Sequence, residues 1–112
     1  MIRAEMLDCP VEWTRRILGD RWKVLILQNL MDGTRSFVDL KGEIPYVSHK
    51  VLVTELRELE EMGLLSCVIY TKAPPQIDYS LTETGQSLKT LLDTMRQWGE
   101  THKEKLAVAA GK

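Results

Sequence analysis

Side chains able to contact nucleic acid are concentrated between Val47 and Gly63. This stretch predicts a helix that a serine caps and a glycine ends. The positions expected to be buried on it are Leu52, Leu56, Leu59 and Met62. The opposite face carries Lys50, Thr54 and Arg57, with Ser48 and His49 at the tip of the helix. Such a face suits the major groove of DNA, although a solvated surface helix would show the same spacing.

Cys9 places a thiol directly before Pro10, where the first helix is expected to begin. A helix N-terminus favours the reactive thiolate, and Arg15 and Arg16 could add positive charge nearby. Cys9 is therefore a candidate redox sensor, with a small apolar residue packed at a subunit interface as the alternative. Cys67 lies among core-facing residues of a predicted strand, and we expect it to be structural.

The composition excludes several classes of protein. The chain has 112 residues, 44% of them hydrophobic and 28% charged, as in a single globular domain. With a net charge of −1, any nucleic-acid surface must come from local clustering of charge. No apolar run reaches the roughly 20 residues of a membrane helix. We therefore expect no membrane contact. Since the two cysteines are distant in sequence and suggest no disulfide framework, we expect a cytoplasmic protein.

Catalytic and metal-binding motifs are missing from the sequence. The cysteines and histidines do not follow metal-ligand spacing, and there is no phosphate loop, nucleophile elbow or zinc-protease motif. We therefore expect no enzyme activity, no metal and no cofactor. A thiol-based redox enzyme is disfavoured because the chain has no C-x-x-C pair.

Three predicted helices precede the Ser48 helix. The first covers residues 10–18, and Asp20 caps a second, over 21–31, whose nearly uniform apolar surface places it at the centre of the domain. Ser36 caps a short third helix, which ends before Pro45. A short helix, a tight turn and a longer capped helix together predict a helix-turn-helix.

The periodicity changes after Gly63 from helical to alternating. Residues 65–70 and 77–81 are predicted strands, and the two prolines between them belong to a stiff loop. A helix-turn-helix followed by such a hairpin is a winged helix. The predicted fold class is α+β: mainly helical, with one β-hairpin wing and a long C-terminal dimerisation helix.

Further contacts to double-stranded DNA are expected outside the Ser48 helix. Lys72 and Gln76, at the predicted wing tip, would reach the minor groove or the backbone. Arg35 and Lys41, on the preceding turn and helix, are candidates for other backbone contacts.

The last predicted helix, capped by Thr82, runs from Glu83 to about Lys105. Its apolar stripe follows a spacing of three and four through Leu88, Leu91, Leu92, Met95, Trp98, His102 and Leu106. A helix this long needs a partner surface, and we expect a homodimer through the first and last helices. The alternative is that the helix folds back on its own domain. Residues 1–8 are expected to form a flexible arm, 9–106 a single domain, and 107–112 a frayed tail.

Several blocks of the chain resemble the HxlR-type family of winged-helix transcriptional regulators, a relative of the MarR group. They come in the family's order over about residues 9–100. The blocks are Cys9–Glu12, Ile17–Lys23, Leu25–Leu27, Phe37–Leu40, Ile44–Pro45, Ser48–Leu52, Leu56–Leu64, Pro74–Pro75 and Tyr79–Gly85. The resemblance implies a homodimer that binds a pseudo-palindromic operator. Several relatives sense oxidants, electrophiles or aldehydes through the cysteine that matches Cys9.

Two positions depart from the family's pattern. Gln76 stands where a basic residue often follows the paired prolines, and Thr54–Glu55 stands where glutamine or a basic residue is common. A carboxylate facing phosphates would be repelled, so Glu55 either points aside or accepts a hydrogen bond from a cytosine. These departures leave open a second function, a winged-helix protein-interaction module without DNA binding.

Overall fold

The structure, a computed structural model, describes residues 9–111. Its helices are α1 Pro10–Leu18, α2 Arg21–Leu30, α3 Phe37–Glu43, α4 His49–Glu61, α5 Glu83–Gln86 and α6 Lys89–Ala110. Its strands are β1 Arg35–Ser36, β2 Leu65–Tyr70 and β3 Gln76–Leu81. This order of elements confirms the predicted winged helix, in which α3 and α4 form the helix-turn-helix and the β2–β3 hairpin is the wing. The expected arm over residues 1–8 lies outside the described residues, as does position 112.

Side-chain caps begin four of these helices where the sequence predicted them, with Thr82 at the start of α5 as the last of the four. The Asp20 carboxylate accepts hydrogen bonds from the backbone N–H groups of Trp22 and Lys23 at the start of α2. Ser36 forms a reciprocal capping box with the third residue of α3. The Ser48 hydroxyl accepts from the backbone N–H of Val51, 3.1 Å away, and starts α4. These local bonds set the position at which the chain enters the helix-turn-helix.

The C-terminus of α4 corrects the prediction that Met62 is buried. Gly63, with φ +77°, follows Met62, and the backbone N–H of Leu64 donates to the carbonyl of Leu59 at 3.0 Å. This is the Schellman arrangement, which turns the chain back across the end of the helix. Leu64 therefore enters the core, whereas the Met62 side chain stays 41% exposed.

The sheet has three antiparallel strands, in the order β1–β3–β2, instead of the two that were predicted. In β1, Arg35 pairs with Tyr79 and Ser36 with Asp78. A strand of two residues is too short to show alternation, so the sequence gives no signal for it. Its pairing ties the start of α3 to the wing.

The core lies between α2, α4 and the base of the wing. Its fully buried members include Ile26, Leu27 and Leu30 of α2 and Leu52, Leu56 and Leu59 of α4. Since these leucines occupy one side of α4, the packing determines which side of that helix faces solvent.

The last helical region is broken, which corrects the prediction of one helix from Glu83. A short α5 ends at Gln86, and α6 starts at Lys89 after a turn. In that turn the Ser87 hydroxyl donates to the Thr84 carbonyl, a bond that competes with the helical pattern. At the other end α6 continues to Ala110, past the expected end near Lys105. The residues predicted to fray include three alanines, which favour helix strongly.

Helix α6 leaves most of its apolar stripe uncovered. It has 22 residues, about 33 Å of helix, and Leu92 is its one buried residue. Beyond it Met95 is 42%, Trp98 57% and Leu106 49% exposed. Within residues 9–111, no helix is both long and apolar enough to cross a membrane.

Candidate nucleic-acid interface

The exposed face of α4 presents a row of polar and basic groups. Lys50, Thr54 and Arg57 are exposed on the side away from the buried leucines, and Ser48 and His49 are exposed at the N-terminal end of the row. The side chains of Lys50 and Arg57 form no hydrogen bond or ion pair with any residue of the described range 9–111. Both cations are therefore available to an external anion.

Two polar residues of this row have internal contacts that orient them. The Thr54 hydroxyl donates to the Lys50 carbonyl at 3.0 Å, which leaves its oxygen lone pairs facing outward. The His49 ring lies 5.0 Å from the Phe37 ring, at an interplanar angle of 58°. Since Phe37 is the first residue of α3, this contact joins the starting turns of the two helices of the helix-turn-helix.

The wing places only one of its two predicted contact residues in the connecting loop. Lys72 lies in that loop, and its ammonium group sits 5.7 Å from the centre of the Tyr70 ring. The loop also contains a cis peptide bond between Ala73 and Pro74. Gln76 instead opens β3, where its amide donates to the Asp78 carboxylate at 2.8 Å. The placement of Gln76 at the tip is therefore wrong, because that residue is already part of the ladder.

A cleft of about 810 Å³ separates the wing from α3 and the start of α4. It is lined by Ser36, Phe37, Val38, Asp39, His49, Val53, Lys72, Pro74, Pro75, Gln76, Ile77 and Tyr79. Of the residues predicted to contact DNA, the cleft brings together His49, Lys72 and Gln76. Lys50, Thr54 and Arg57 lie on α4 outside this lining.

Arg35 and Lys41, the two candidates for further contacts to the DNA backbone, differ in whether they already bind another residue of the chain. Arg35 is half-buried, with its guanidinium 3.6 Å from the Glu43 carboxylate and donating to the Thr34 carbonyl. Lys41 is exposed on α3 and has no side-chain partner within the described residues 9–111. Lys41 is thus the more accessible of the two cations.

Two of the four acidic residues of α4, Glu55 and Glu58, are bound by a buried lysine that the sequence pattern did not indicate, whereas Glu60 and Glu61 stay exposed. Lys23 of α2 is 4% exposed, and its Nζ lies 2.6 Å from a carboxylate oxygen of Glu55 and 2.6 Å from one of Glu58. The Asp20 carboxylate is 3.2 Å away. Glu55 therefore points aside in this structure, as in the first of the two alternatives left open above. The available signal was a lysine in the first turn of a helix rich in apolar residues, because a buried ammonium needs acidic partners.

The contacts of Lys23 also affect the pKa values of Lys23 itself and of two carboxylates around it. Burial by itself would lower the pKa of Lys23, but its hydrogen bonds to the carboxylates of Glu55, Glu58 and Asp20 raise it overall. The pKa of Asp20 is lowered, since hydrogen bonds from the backbone and side chain of Lys23 outweigh the opposing effect of burial. The pKa of Glu55 is raised, chiefly by burial and against the effect of Lys23. Lys23 is consequently a cation throughout the neutral range.

The two cysteines lie in different surroundings. Cys9 is exposed at the N-cap of α1, and its side chain makes no capping hydrogen bond. Arg15 pairs with Glu12, and Arg16 lies over the Trp13 ring, so both arginines have other contacts. Half-buried Cys67 donates to the Glu60 carboxylate at 3.3 Å.

The surroundings of Cys67 do not favour its thiolate. Burial and the adjacent Glu60 carboxylate raise the pKa of Cys67. The structural role predicted for this cysteine is consistent with that surrounding. Cys9 is consequently the better candidate for thiol chemistry.

Comparison with known proteins places the chain among transcriptional regulators. A family model described as HxlR-like helix-turn-helix matches residues 17–107. The HTH-type transcriptional regulator YkvN of Bacillus subtilis is 42% identical over 97 residues, which cover 87% of this chain and 82% of YkvN. These relatives are transcriptional regulators and not enzymes.

Solved structures agree with that assignment. The redox regulator HypR in its reduced form matches with a TM-score of 0.82 at 34% identity, covering 88% of this chain and 97% of HypR. The reduced form of the transcriptional regulator YodB from B. subtilis matches with a TM-score of 0.72 at 33% identity, covering 82% of this chain and 91% of YodB.

Proposed function

The chain belongs to the HxlR-like helix-turn-helix family of transcriptional regulators, and we propose that it binds a pseudo-palindromic DNA operator, sequence-specifically, as a homodimer. The observation that carries this proposal is the charge distribution on α4. Lys50 and Arg57 face outward without internal partners in the described range, whereas Glu55 and Glu58 are bound to Lys23. The exposed face from Lys50 to Arg57 is therefore basic although the net charge of the chain is −1, and the exposed acids Glu60 and Glu61 lie beyond it at the end of α4.

In this proposal the first turns of α4 enter the major groove. Ser48 and His49 lie at the N-terminal end, where helix backbone groups favour a phosphate. Thr54 and Lys50 are positioned to contact base edges, and Arg57 to bind a base or a phosphate. The basis is that all five of these side chains are exposed.

The wing and α3 would hold the neighbouring backbone. Lys72 supplies the cation of the wing loop and Lys41 that of α3. Arg35 and Gln76 would contribute less to binding the DNA backbone, since each already contacts a carboxylate of the chain. These contacts set the register of the domain on the duplex and contribute little sequence selectivity.

The homodimer would form through α1 and α6. Exposed apolar side chains occur on both helices, with Val11 73% and Trp13 45% exposed on α1 and Trp98 57% exposed on α6. A groove lined by Pro10, Val11, Thr14, Arg15, Leu18 and Leu91 runs between the two helices. Because large uncovered apolar surface is unfavourable in water, a second copy of the chain is the partner proposed for it.

Cys9 would link DNA binding to a redox or electrophile signal. The structural relative HypR is a redox regulator, and Cys9 is exposed at the start of α1, one of the proposed dimer helices. Modification of its thiol would alter the packing of α1 against the partner subunit, and thereby the spacing of the two α4 helices.

Selection of bound fragments from random duplex DNA, followed by titration at several salt concentrations, tests the proposal. The expected result is enrichment of an inverted repeat, with affinity that falls as salt rises by a log–log slope of about 0.9 per phosphate contact. Absence of enrichment, together with salt-independent binding, would contradict DNA recognition and support the protein-interaction module instead. Repeating the selection with alkylated protein tests the role of Cys9.

A further inference from the structure

We infer that Lys23 is a positioning residue for DNA binding: it fixes α4 against α2 and keeps the carboxylates of Glu55 and Glu58 away from the duplex. This inference rests on the proposed DNA-binding function. It assigns a functional part to a residue of the domain core, in an element that itself reaches no nucleic acid.

The geometry around Lys23 is complete. A lysine ammonium carries three donor protons, and three carboxylates surround it at 2.6, 2.6 and 3.2 Å. Asp20 uses its other oxygen to cap α2, accepting from Trp22 and Lys23 backbone N–H groups. A continuous set of bonds therefore runs from the start of α2 to the middle of α4.

The position of Glu55 on α4 shows why its partner matters. Glu55 is next to Thr54 in sequence, about 100° around the helix axis from a residue of the proposed contact face. Its side chain is 12% exposed because it turns inward to Lys23. Without that partner, burial would be unfavourable for the carboxylate, which would move toward solvent on the side of the phosphates.

Glu58 has the same relation to the next contact residue. It adjoins Arg57, and although its side chain is 47% exposed, one of its oxygens is held by Lys23. In the absence of Lys23 this carboxylate would be an uncompensated negative charge at the edge of the contact face, one turn after Thr54, where it would repel phosphates. Lys23 thus preserves the basic character of the face at two positions.

The cluster around Lys23 contains three carboxylates and one ammonium group. This excess of negative charge argues against a role for Lys23 in stability alone. Within residues 9–111 the carboxylates of Asp20, Glu55 and Glu58 share the single Lys23 cation. If Lys23 served only to fill the core, an apolar side chain of similar length would replace it without effect on the contact face.

The test uses the full chain and the duplex enriched from the random pool, with Kd measured by fluorescence anisotropy. Lys23→Met is expected to weaken binding by about tenfold or more, because carboxylates repel phosphates at close range. Adding Glu55→Gln and Glu58→Gln to that variant is expected to restore most of the lost affinity. Glu104→Gln, which removes an exposed carboxylate from α6 instead of α4, is the control and should not rescue Lys23→Met.

Several outcomes would overturn the inference. The first is an unchanged Kd for Lys23→Met. The second is a Kd of the triple variant (Lys23→Met, Glu55→Gln and Glu58→Gln) as high as that of Lys23→Met, while thermal melts show both variants folded. Should Lys23→Met fail to fold, Glu55→Gln alone decides: an unchanged base preference at every operator position supports an inward Glu55, and an altered preference at one position makes Glu55 a base reader. A wild-type chain that binds no duplex would refute the proposed function itself. The Kd of the wild-type chain, measured before any variant, separates that outcome from failure of the Lys23 inference alone.

Discussion

At the residue scale, the cations near α4 divide into engaged and available groups. Lys23 and Arg35 are bound to carboxylates, whereas Lys50 and Arg57 have no side-chain partner within residues 9–111. This distinction follows exposure as well, since Lys23 is buried and Arg35 half-buried, whereas Lys50 and Arg57 lie on the surface. It arises from the carboxylates that the fold brings near each lysine or arginine.

Substitution of Lys50 or Arg57 by alanine is expected to weaken operator binding without destabilising the chain. Loss of one phosphate contact should reduce the salt slope by about one unit, while loss of a base contact should cost about 1–3 kcal/mol and relax preference at one position. Lys105→Ala, at an exposed position far along α6, is the control. Unchanged affinity in both α4 variants would remove these residues from the interface.

The two cysteines are expected to differ in reactivity. Iodoacetamide labelling of the reduced protein near neutral pH should modify Cys9 first, because it is exposed at a helix N-terminus. Cys67 should react more slowly, since its raised pKa leaves less thiolate at that pH. Mass spectrometry of Cys9→Ser and Cys67→Ser variants assigns the site. Faster labelling of Cys67 would contradict the proposed sensor.

At the scale of elements, the end of α4 and the start of α5 are joined through backbone contacts. The Thr82 hydroxyl donates to the Gly63 carbonyl at 2.6 Å and accepts from the Gly85 backbone N–H at 3.1 Å. The Thr82 backbone N–H donates to the Leu64 carbonyl. Gly85 is buried so closely against that carbonyl that a Cβ would overlap its oxygen. The wing therefore returns to the domain at a junction that holds the far end of α4.

Gly85→Ala is expected to destabilise the fold by about 1–3 kcal/mol, because backbone on both sides of the contact must shift. Gly42→Ala is the control, since Gly42 lies within α3 with open space where a Cβ would be. That change should stabilise the chain by about 0.5–1 kcal/mol through helix propensity. Urea unfolding followed by circular dichroism measures both. Equal stability of Gly85→Ala and wild type would show that the junction is not tightly packed.

At the scale of the whole molecule, α6 extends the chain well beyond its core. The longest dimension is 52 Å against 25 Å for the shortest. Trp98 and His102 stack at 4.4 Å on the uncovered side of this helix. If the proposed dimer reads two half-sites, its two α4 helices must lie about one turn of DNA apart, roughly 34 Å.

Trp98→Glu is expected to raise the Kd of the dimer by about tenfold or more, because an exposed tryptophan is a typical interface anchor and the new carboxylate would be buried. Operator affinity should fall in parallel, since both half-sites are needed. Gln97→Glu, which introduces the same charge about 100° around α6 and outside the apolar stripe, should leave both unchanged. Sedimentation analysis gives the oligomeric state. A Trp98→Glu chain that remains dimeric at low micromolar concentration would place the interface elsewhere.

The sequence alone was sufficient for the winged-helix order of elements, because the signals for it are local. Asp20, Ser36 and Ser48 cap helices through bonds to residues two or three positions away, and Gly63 ends α4 by its own backbone freedom. The alternation of the wing strands is likewise visible over a few residues. The exposed row on α4 followed from the spacing of its leucines.

The tertiary structure determined the features that depend on contacts between residues distant in sequence. The two-residue β1 exists only through its pairing with β3, and Met62 is exposed only because Leu64 turns back into the core. The break before α6 and the engagement of Gln76 with Asp78 depend on contacts formed after folding. Most of all, Lys23 meets Glu55 across 32 positions of sequence. The charge presented by α4 therefore depends on a partner in another helix, since the pairing of distant charges is set by packing and not by spacing.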